Sequence, residues 1–233
     1  AIVLLGQWQR GLLDSLGLFN AGHCPPVQAA YVWSSPVART QATSAALVQG
    51  MFPGCNVAVN HAQKNQDRLF HATENGLATL DPARTKAAIL HAMGGSLDAA
   101  RERYAAPVLA MQQVVGVPST CEQKTCALSE QPWALKEKAS VVKLSSPLGV
   151  GAGMSETFRM QYAEGLPLDQ VAFGQGRNAE EVSRLMALRS AKYALSNHVP
   201  YIAQRGASQL LGQILLALQP TAAGSPPGTQ WLA

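Results

Sequence analysis

The residues best suited to bind an anion lie in a short polar junction. An apolar segment precedes Ser34, Ser35 and Pro36. Arg39 and Thr40 come one turn into the helix that is predicted after this junction. In α/β folds, ligands bind beyond the carboxyl ends of strands, where helix N-termini offer free N–H groups and partial positive charge. An arginine one turn into such a helix can contact two oxygens of a phosphate. The spacing therefore suggests a phosphate site at Arg39; the alternative is a surface arginine whose stem covers apolar area.

The elements around this junction have an α/β pattern. β-Branched and aromatic residues predict a strand at 30–33, and Ser35 as N-cap with Pro36 at the first helical position predicts a helix over 37–49. A second short buried strand is predicted at 57–59. Before them, apolar residues at helical spacing predict an amphipathic helix that ends near residue 17, with the stripe Leu5, Trp8, Leu12 and Leu16.

Beyond residue 70 the strand signals nearly vanish, and Ala-rich helical patterns take over. An irregular segment is expected between the helix predicted over 97–115 and about residue 147. The last helix carries an apolar face and is expected to return the chain to the α/β layer. The predicted domains are 1–70 and 199–233 for the α/β part and 71–198 for a helical part. The predicted helices are 82–93, 97–115, 151–163, 179–196 and 200–218.

Composition excludes several function classes. Hydrophobic residues make up 47% of the 233 residues, enough for a sizeable core, and the formal net charge is +4. No basic run is interleaved with aromatic residues, and no apolar stretch approaches the roughly 20 residues of a membrane span. We therefore expect no nucleic-acid partner and no membrane insertion. The glycines at 149, 151 and 153 lack the GK[ST] ending of a nucleotide loop and predict a flexible helix entry.

The four cysteines fall into two local pairs. Cys24 and Cys55 flank a predicted strand–helix unit, and Cys121 and Cys126 would close a short loop. An even count in two pairs favours disulfides formed in an oxidising compartment. The competing interpretation, a zinc site, lacks a CxxC motif and a histidine pair at ligand spacing. We expect two disulfides and no metal.

One string in the sequence resembles a family signature. The run YVWSSPVARTQAT at 31–43 is similar to the second conserved block of the histidine acid phosphatases, branch 2. Later segments match in the same order: DRLF at 67–70, MSETF at 154–158, YAEGLP at 162–167 and YIAQRG at 201–206. The likeness is greatest to bacterial periplasmic phytases and glucose-1-phosphatases. It implies part of a phosphoglycerate-mutase-like α/β domain with a mainly helical second domain.

The resemblance also implies a mechanism. In this family the histidine of an RHGxRxP motif attacks the phosphoryl group, and the aspartate of an HD motif protonates the leaving alcohol. Neither motif occurs among the 233 residues. The first would precede Ala1 and the second would follow Ala233, and both ends look cut, so we expect an internal fragment that is inactive alone.

Four residues take roles from the resemblance. Arg39 matches the arginine that holds the scissile phosphate, and Ser35 stands where several relatives place a substrate-contacting aspartate. Glu156 matches a pocket glutamate of the helical domain, with a solvated helix face as the alternative. Arg189 falls near a substrate-binding histidine of some phytases, although a surface role fits an arginine there as well.

The expected full-length protein is thus an acid phosphomonoester hydrolase of the phytase type. Its substrate would be phytate, or alternatively glucose 1-phosphate or a broad set of phosphomonoesters. The resemblance implies no cofactor, a periplasmic or secreted location and a monomeric state.

Overall fold

The computed structural model describes residues 1–19, 22–26, 30–117, 121, 126–138 and 141–218. The chain divides into two compact units. Unit 1 is formed by residues 1–79 and those from 205 onward, and unit 2 by residues 80–204. The eighth helix, α8 (Pro200–Leu218), begins in unit 2 and continues into unit 1. In the described part of the chain, no helix is both long and apolar enough to cross a bilayer.

In its described residues, unit 1 contains two strands and two helices ahead of α8. The order is α1 (Ile2–Ser15), β1 (Val32–Ser34), α2 (Ala38–Met51) and β2 (Val59–His61). The strands pair in parallel, with Val32 opposite Val59 and Ser34 opposite His61. A small core of Leu13, Val48, Met51 and Phe52 lies between these elements. The parallel pairing across a crossover helix agrees with the α/β expectation, although β2 begins two residues later than predicted.

Helix α1 forms as predicted but does not bury the predicted face. Gly6 and Leu13 are its buried residues, whereas the expected stripe remains exposed, with Trp8 at 64%. Gly6 lies directly against the backbone of α2, and Gly50 of α2 lies against the backbone of α1. Because glycine lacks a Cβ, the two helices approach closely at this crossing. Small residues, rather than the apolar stripe, therefore determine which face packs.

Helix α2 begins later than predicted. Its N-cap is Val37 rather than Ser35, and no side chain caps it. Pro36 lies ahead of the helix instead of at its first position. The Thr40 hydroxyl lies 2.7 Å from the Val37 carbonyl oxygen and 2.8 Å from that of Ser35, and it holds the entry in place.

Unit 2 is mainly helical and contains one antiparallel hairpin. Its core is a single apolar cluster that includes Ile89, Met93, Met111, Leu148 and Leu188. A single turn of 3-10 helix occurs at Leu128–Glu130, whereas the turn Val171–Gly174 contains Ala172 and Phe173 with positive φ angles of 49° and 56°. The elements are α3 (Pro82–Ala92), α4 (Leu97–Val115), β3 (Ala134–Lys138), β4 (Val141–Ser145), α5 (Pro147–Ala163), α6 (Ala179–Leu185), α7 (Ala187–Ser196) and the start of α8.

The bounds of α4 and α8 match the predicted helices, and α3 ends one residue early. The helix predicted over 179–196 is divided at Met186 into α6 and α7. The hairpin is a correction, since no strand was expected there. Leu135, Val142 and Leu144 pack against the unit 2 core, and this packing makes a strand of β3, whose residues ALKEK are good helix formers, opposite the valine-containing β4.

The glycine cluster does not form a flexible entry. Helix α5 begins at Pro147, so all three glycines are helical. Gly151 packs directly against the side chain of Leu188 in α7, while Gly149 and Gly153 have open space around them. At Gly151, therefore, the close packing of α5 against α7 requires a residue without a side chain.

Both predicted disulfides are present. Cys24 and Cys55 are joined within unit 1, with Cα atoms 5.5 Å apart, and Cys121 is joined to Cys126 in unit 2. Across the described residues, no three His, Cys, Asp or Glu side chains are grouped as a metal site would require.

Candidate functional site

The corner between β1 and α2 is tightly held. Ser34 is 3% exposed, and its hydroxyl donates to the Ser35 carbonyl oxygen at 2.9 Å. The same carbonyl oxygen lies 2.8 Å from the hydroxyl of Thr40, the third residue of α2. The chain therefore leaves the carboxyl end of β1 and enters α2 through a turn held from both sides.

Arg39 is the second residue of α2 and is exposed. Its carbonyl oxygen accepts a hydrogen bond from the Thr43 hydroxyl at 2.9 Å. Within the residues that the structure describes, its guanidinium has no hydrogen-bond or ion-pair partner. The first turn of α2 also lacks a side-chain cap, so its free N–H groups and partial positive charge remain available. These features suit the binding of an anion.

Ser35 is half-buried, and it holds the turn through its backbone and not through its side chain. Its carbonyl oxygen meets the hydroxyls of Ser34 and Thr40. No described residue hydrogen-bonds its hydroxyl. The side chain is thus available to a ligand.

The structure brings Glu156 and Arg189 together in unit 2. Arg189 Nη1 lies 2.5 Å from Glu156 Oε2, and the two side chains are 31% and 28% exposed. Helices α5 and α7 supply one residue each. This contact could not be predicted from the sequence, because nothing in the spacing connects residues on two separate helices.

Two further groups complete this cluster. Arg159, three residues after Glu156, donates from Nη2 to Glu156 Oε1 at 2.6 Å. This hydrogen bond, with the attraction of the carboxylate, raises the pKa of the Arg159 guanidinium. The guanidinium of Arg189 also lies over the Tyr193 ring, 5.0 Å from its centroid. Glu156 is therefore part of an ion-pair network and does not stand as an isolated solvated carboxylate.

The predicted site residues thus form two local groups. Ser35 and Arg39 are neighbours in unit 1, and Glu156 and Arg189 form an ion pair in unit 2. Their roles toward a substrate remain predictions.

Arg10 provides a contrast to Arg39 within unit 1. Its guanidinium contacts Asp14 Oδ1 at 2.7 Å and donates to the Met51 carbonyl oxygen at 3.2 Å. It also lies 5.4 Å from the ring centroid of Phe19 and 5.5 Å from that of Phe52. An arginine used in this way supports packing, whereas the Arg39 guanidinium has no comparable contact in the described part of the chain.

A cavity of about 590 Å³ lies next to the corner. The residues that open α2 form one wall, and the loop after β2 forms another, including Lys64, Asp67 and His71. None of these three residues was predicted from the sequence. The available signal was the polar run after the second predicted strand, because ligands gather beyond the carboxyl ends of parallel strands.

Unit 1 combines a parallel strand pair with a crossover helix that carries an arginine in its first turn, and unit 2 is mainly helical. These elements place the chain in the α/β class. The family model described as the histidine phosphatase superfamily (branch 2) matches residues 4–219. The chain belongs to this family, which confirms the resemblance seen in the sequence.

The relatives are bacterial. Over 230 residues the chain is 28% identical to a phytase of Escherichia coli K12, covering 94% of this chain and 52% of that protein. It is 29% identical over 176 residues to a glucose-1-phosphatase of Salmonella typhimurium, covering 74% of this chain and 42% of the other. The chain therefore spans about half the length of the curated relatives it matches.

Comparison with solved structures supports the same family. The phytase of Klebsiella sp. ASR1 is 35% identical, with a TM-score of 0.82 over 97% of this chain and 55% of that one. A Hafnia alvei phytase in complex with tartrate is 29% identical, also with a TM-score of 0.82, over 97% of this chain and 56% of that one. The fold of the chain is thus that of the histidine phosphatases.

Proposed function

We propose that this chain is the phosphate-holding part of an acid phosphomonoester hydrolase of the phytase type. The observation that carries the proposal is the position of Arg39. Its guanidinium is exposed at the start of α2, immediately beyond the carboxyl end of β1, and has no partner within the described residues. Membership of the histidine phosphatase superfamily supports the same role.

In the proposed reaction Arg39 contacts the oxygens of the phosphoryl group that do not leave. A histidine nitrogen, supplied outside these residues, forms a bond to phosphorus as the bond to the leaving alcohol oxygen breaks. The alcohol takes a proton from an aspartic acid, also supplied from outside. Water then cleaves the phosphohistidine to release inorganic phosphate. Arg39 stabilises the negative charge on the phosphoryl oxygens throughout.

Phytate is the proposed substrate, and glucose 1-phosphate is the alternative. Phytases and glucose-1-phosphatases both occur among the relatives, so the family alone supports either. In unit 2, the cluster of Glu156, Arg159 and Arg189 holds two guanidinium groups against one carboxylate. An excess of positive charge favours the highly phosphorylated substrate.

A second candidate function concerns the chain by itself. None of its five histidines lies in an RHG or HD sequence. We propose that the 233 residues alone bind phosphate without turning it over. The two disulfides support a periplasmic or secreted location for the whole protein, since they persist in oxidising compartments. We propose that the whole protein acts as a monomer without a cofactor.

The activity can be tested in a protein that continues this chain on both sides with the RHGxRxP and HD motifs. We expect phosphate release at acidic pH from phytate, from glucose 1-phosphate or from an aryl phosphate. The relative turnover on phytate and glucose 1-phosphate decides between the two substrates. Lack of turnover on all three would refute the assignment, and turnover by the 233 residues alone would refute their proposed inactivity.

The role of Arg39 can be tested in the chain itself by calorimetric titration with inorganic phosphate. Loss of charged hydrogen bonds should weaken binding by the Arg39→Ala variant about tenfold or more. Arg101→Ala is the matched control, because Arg101 is an exposed helical arginine of unit 2, 3.4 Å from Asp98. Equal phosphate affinities of the Arg39→Ala variant and the unmodified chain would contradict the proposal.

A further inference from the structure

The cavity beside the corner lies where the chain leaves two adjacent parallel strands. Residues 36–38 follow the carboxyl end of β1, and residues 64–67 follow that of β2. His71, Glu74 and Asn75 complete the lining. Both main walls therefore come from the edge at which α/β sheets bind their ligands.

Asp67 is the most informative residue of this lining. It is 1% exposed, and its Oδ1 accepts hydrogen bonds from the backbone N–H groups of Leu69 and Phe70, each at 3.1 Å. Its other carboxylate oxygen, Oδ2, is buried and has no hydrogen-bond partner among the described residues. Burial of an unpaired carboxylate oxygen costs several kcal/mol as an order of magnitude. Asp67 lines the cavity, so a hydrogen-bond donor bound there that reached Oδ2 would remove this cost.

Two features of the cavity can attract an anion, alongside the carboxylate of Glu74 that also lines it. Lys64 is exposed and has no ion-pair partner within the described ranges. The uncapped first turn of α2 forms part of the wall, so its partial positive charge faces the same region. His71 Nδ1 lies 3.9 Å from Glu74 Oε1, so these two side chains are partly occupied with each other. The cavity thus combines an acceptor that needs a donor with one ammonium group and a helix N-terminus.

A phosphorylated polyol has both complementary groups, hydroxyls that donate and phosphates that carry negative charge. We propose that this cavity binds the polyol ring of the substrate, with Asp67 Oδ2 accepting a hydrogen bond from a ring hydroxyl. Lys64 contacts a second phosphate where the substrate has one. The inference rests on the proposed function, in which Arg39 holds the reacting phosphate. In this inference, Asp67 selects substrates by the alcohol to which the reacting phosphate is attached.

The test compares glucose 1-phosphate with inorganic phosphate, titrated calorimetrically into the chain. We expect glucose 1-phosphate to bind more tightly, because it adds the hydroxyl contact. In the Asp67→Asn variant, affinity for glucose 1-phosphate should fall roughly tenfold, as loss of one charged hydrogen bond implies, while affinity for phosphate stays the same. The asparagine retains an oxygen for the N–H groups of Leu69 and Phe70, so the turn should still form.

Asp98→Asn is the matched control. Asp98 is an exposed carboxylate of unit 2, 3.4 Å from Arg101 Nη1 and outside the cavity lining, and this variant should leave the affinity ratio unchanged. The inference is overturned if glucose 1-phosphate binds no more tightly than phosphate, or if Asp67→Asn weakens both ligands equally or neither. Failure of the proposed function looks different: Arg39→Ala then has no effect on either ligand.

Discussion

The guanidinium of Arg189 lies 2.5 Å from the carboxylate of Glu156 and joins α7 to α5 in unit 2. Arg159 binds the same carboxylate at 2.6 Å, so two cations share one anion. The Tyr193 ring supports Arg189 from another side. Glu156 thus restrains two guanidinium groups, and this arrangement suits the recognition of anions more than that of neutral hydroxyls.

Glu156→Gln should therefore tighten the binding of phytate. Removal of one negative charge at about 6 Å from a bound phosphate contributes roughly 1 kcal/mol in a partly solvated setting, or about fivefold in affinity. Calorimetric titration of the chain with phytate measures the change. Glu137→Gln, which removes a carboxylate paired with Lys86 elsewhere in unit 2, should change affinity little. Weaker phytate binding by Glu156→Gln would show instead that the carboxylate contacts the ligand.

The sequence is sufficient to identify the local part of the site but not the long-range part. Arg39 can be found because a strand, a turn and a helix start follow one another in the chain. The pairing of Glu156 with Arg189 depends on how α5 packs against α7. Asp67 could not be selected from the sequence, because its proposed role rests on a buried oxygen without a partner among the described residues, and only the structure reveals that atom.

The elements of the fold likewise fall into those that could be predicted from the sequence and those that could not. Helices such as α4 and α8 follow from periodicity and end signals, so their bounds could be predicted. The β3–β4 hairpin could not, because the residues of β3 favour a helix and the strand depends on the packing of Leu135 and Leu144 against the unit 2 core. The face that α1 buries was also mispredicted, since close backbone approach at Gly6 outweighs the apolar stripe.

Gly50→Ala should destabilise unit 1. A Cβ at this position would lie 2.9 Å from the Val3 carbonyl carbon and 3.0 Å from the Gln7 nitrogen, so α1 and α2 would have to separate. Overpacking of this kind costs about 1–3 kcal/mol. Urea unfolding followed by circular dichroism measures the loss.

The control for this variant is Gly11→Ala in α1. Gly11 has open space around its Cα, and alanine in a helix interior is favoured over glycine by about 0.5–1 kcal/mol. The two substitutions therefore change stability in opposite directions. A stabilised Gly50→Ala chain would show that the glycine crossing does not position the helices.

Loss of the Cys24–Cys55 disulfide should cost more stability than loss of Cys121–Cys126. The first links residues 31 apart in the sequence and the second residues 5 apart. The chain-entropy relation assigns about 3.7 kcal/mol to the longer loop and about 2 kcal/mol to the shorter. Paired serine substitutions at each disulfide, compared by urea unfolding, test this order. Equal losses would mean that strain or unfolded-state structure outweighs loop entropy.

The first turn of α6 should respond to acid through Glu181. Asn178 caps this helix by accepting from the Glu181 backbone N–H at 2.9 Å, and the Glu181 carboxylate accepts from the Arg177 backbone N–H at 2.8 Å. The Arg177 guanidinium contacts the same carboxylate at 3.0 Å. The Arg177 side-chain hydrogen bond is the main cause that lowers the pKa of Glu181 below its ordinary value of 4.5, and the Arg177 backbone hydrogen bond adds to it.

A carboxyl group with a lowered pKa in the folded chain favours folding at pH values above 4.5, and this contribution is lost as the pH falls through the lowered value. Arg177→Ala should therefore move the titration of Glu181 upward toward 4.5, as measured by NMR of the side-chain carboxyl carbon. Glu180→Gln, in the same helical turn, is the control and should leave that titration in place. An unchanged Glu181 titration in Arg177→Ala would show that the Arg177 side chain is not what lowers this pKa, and the acid response of the helix start would then need another source.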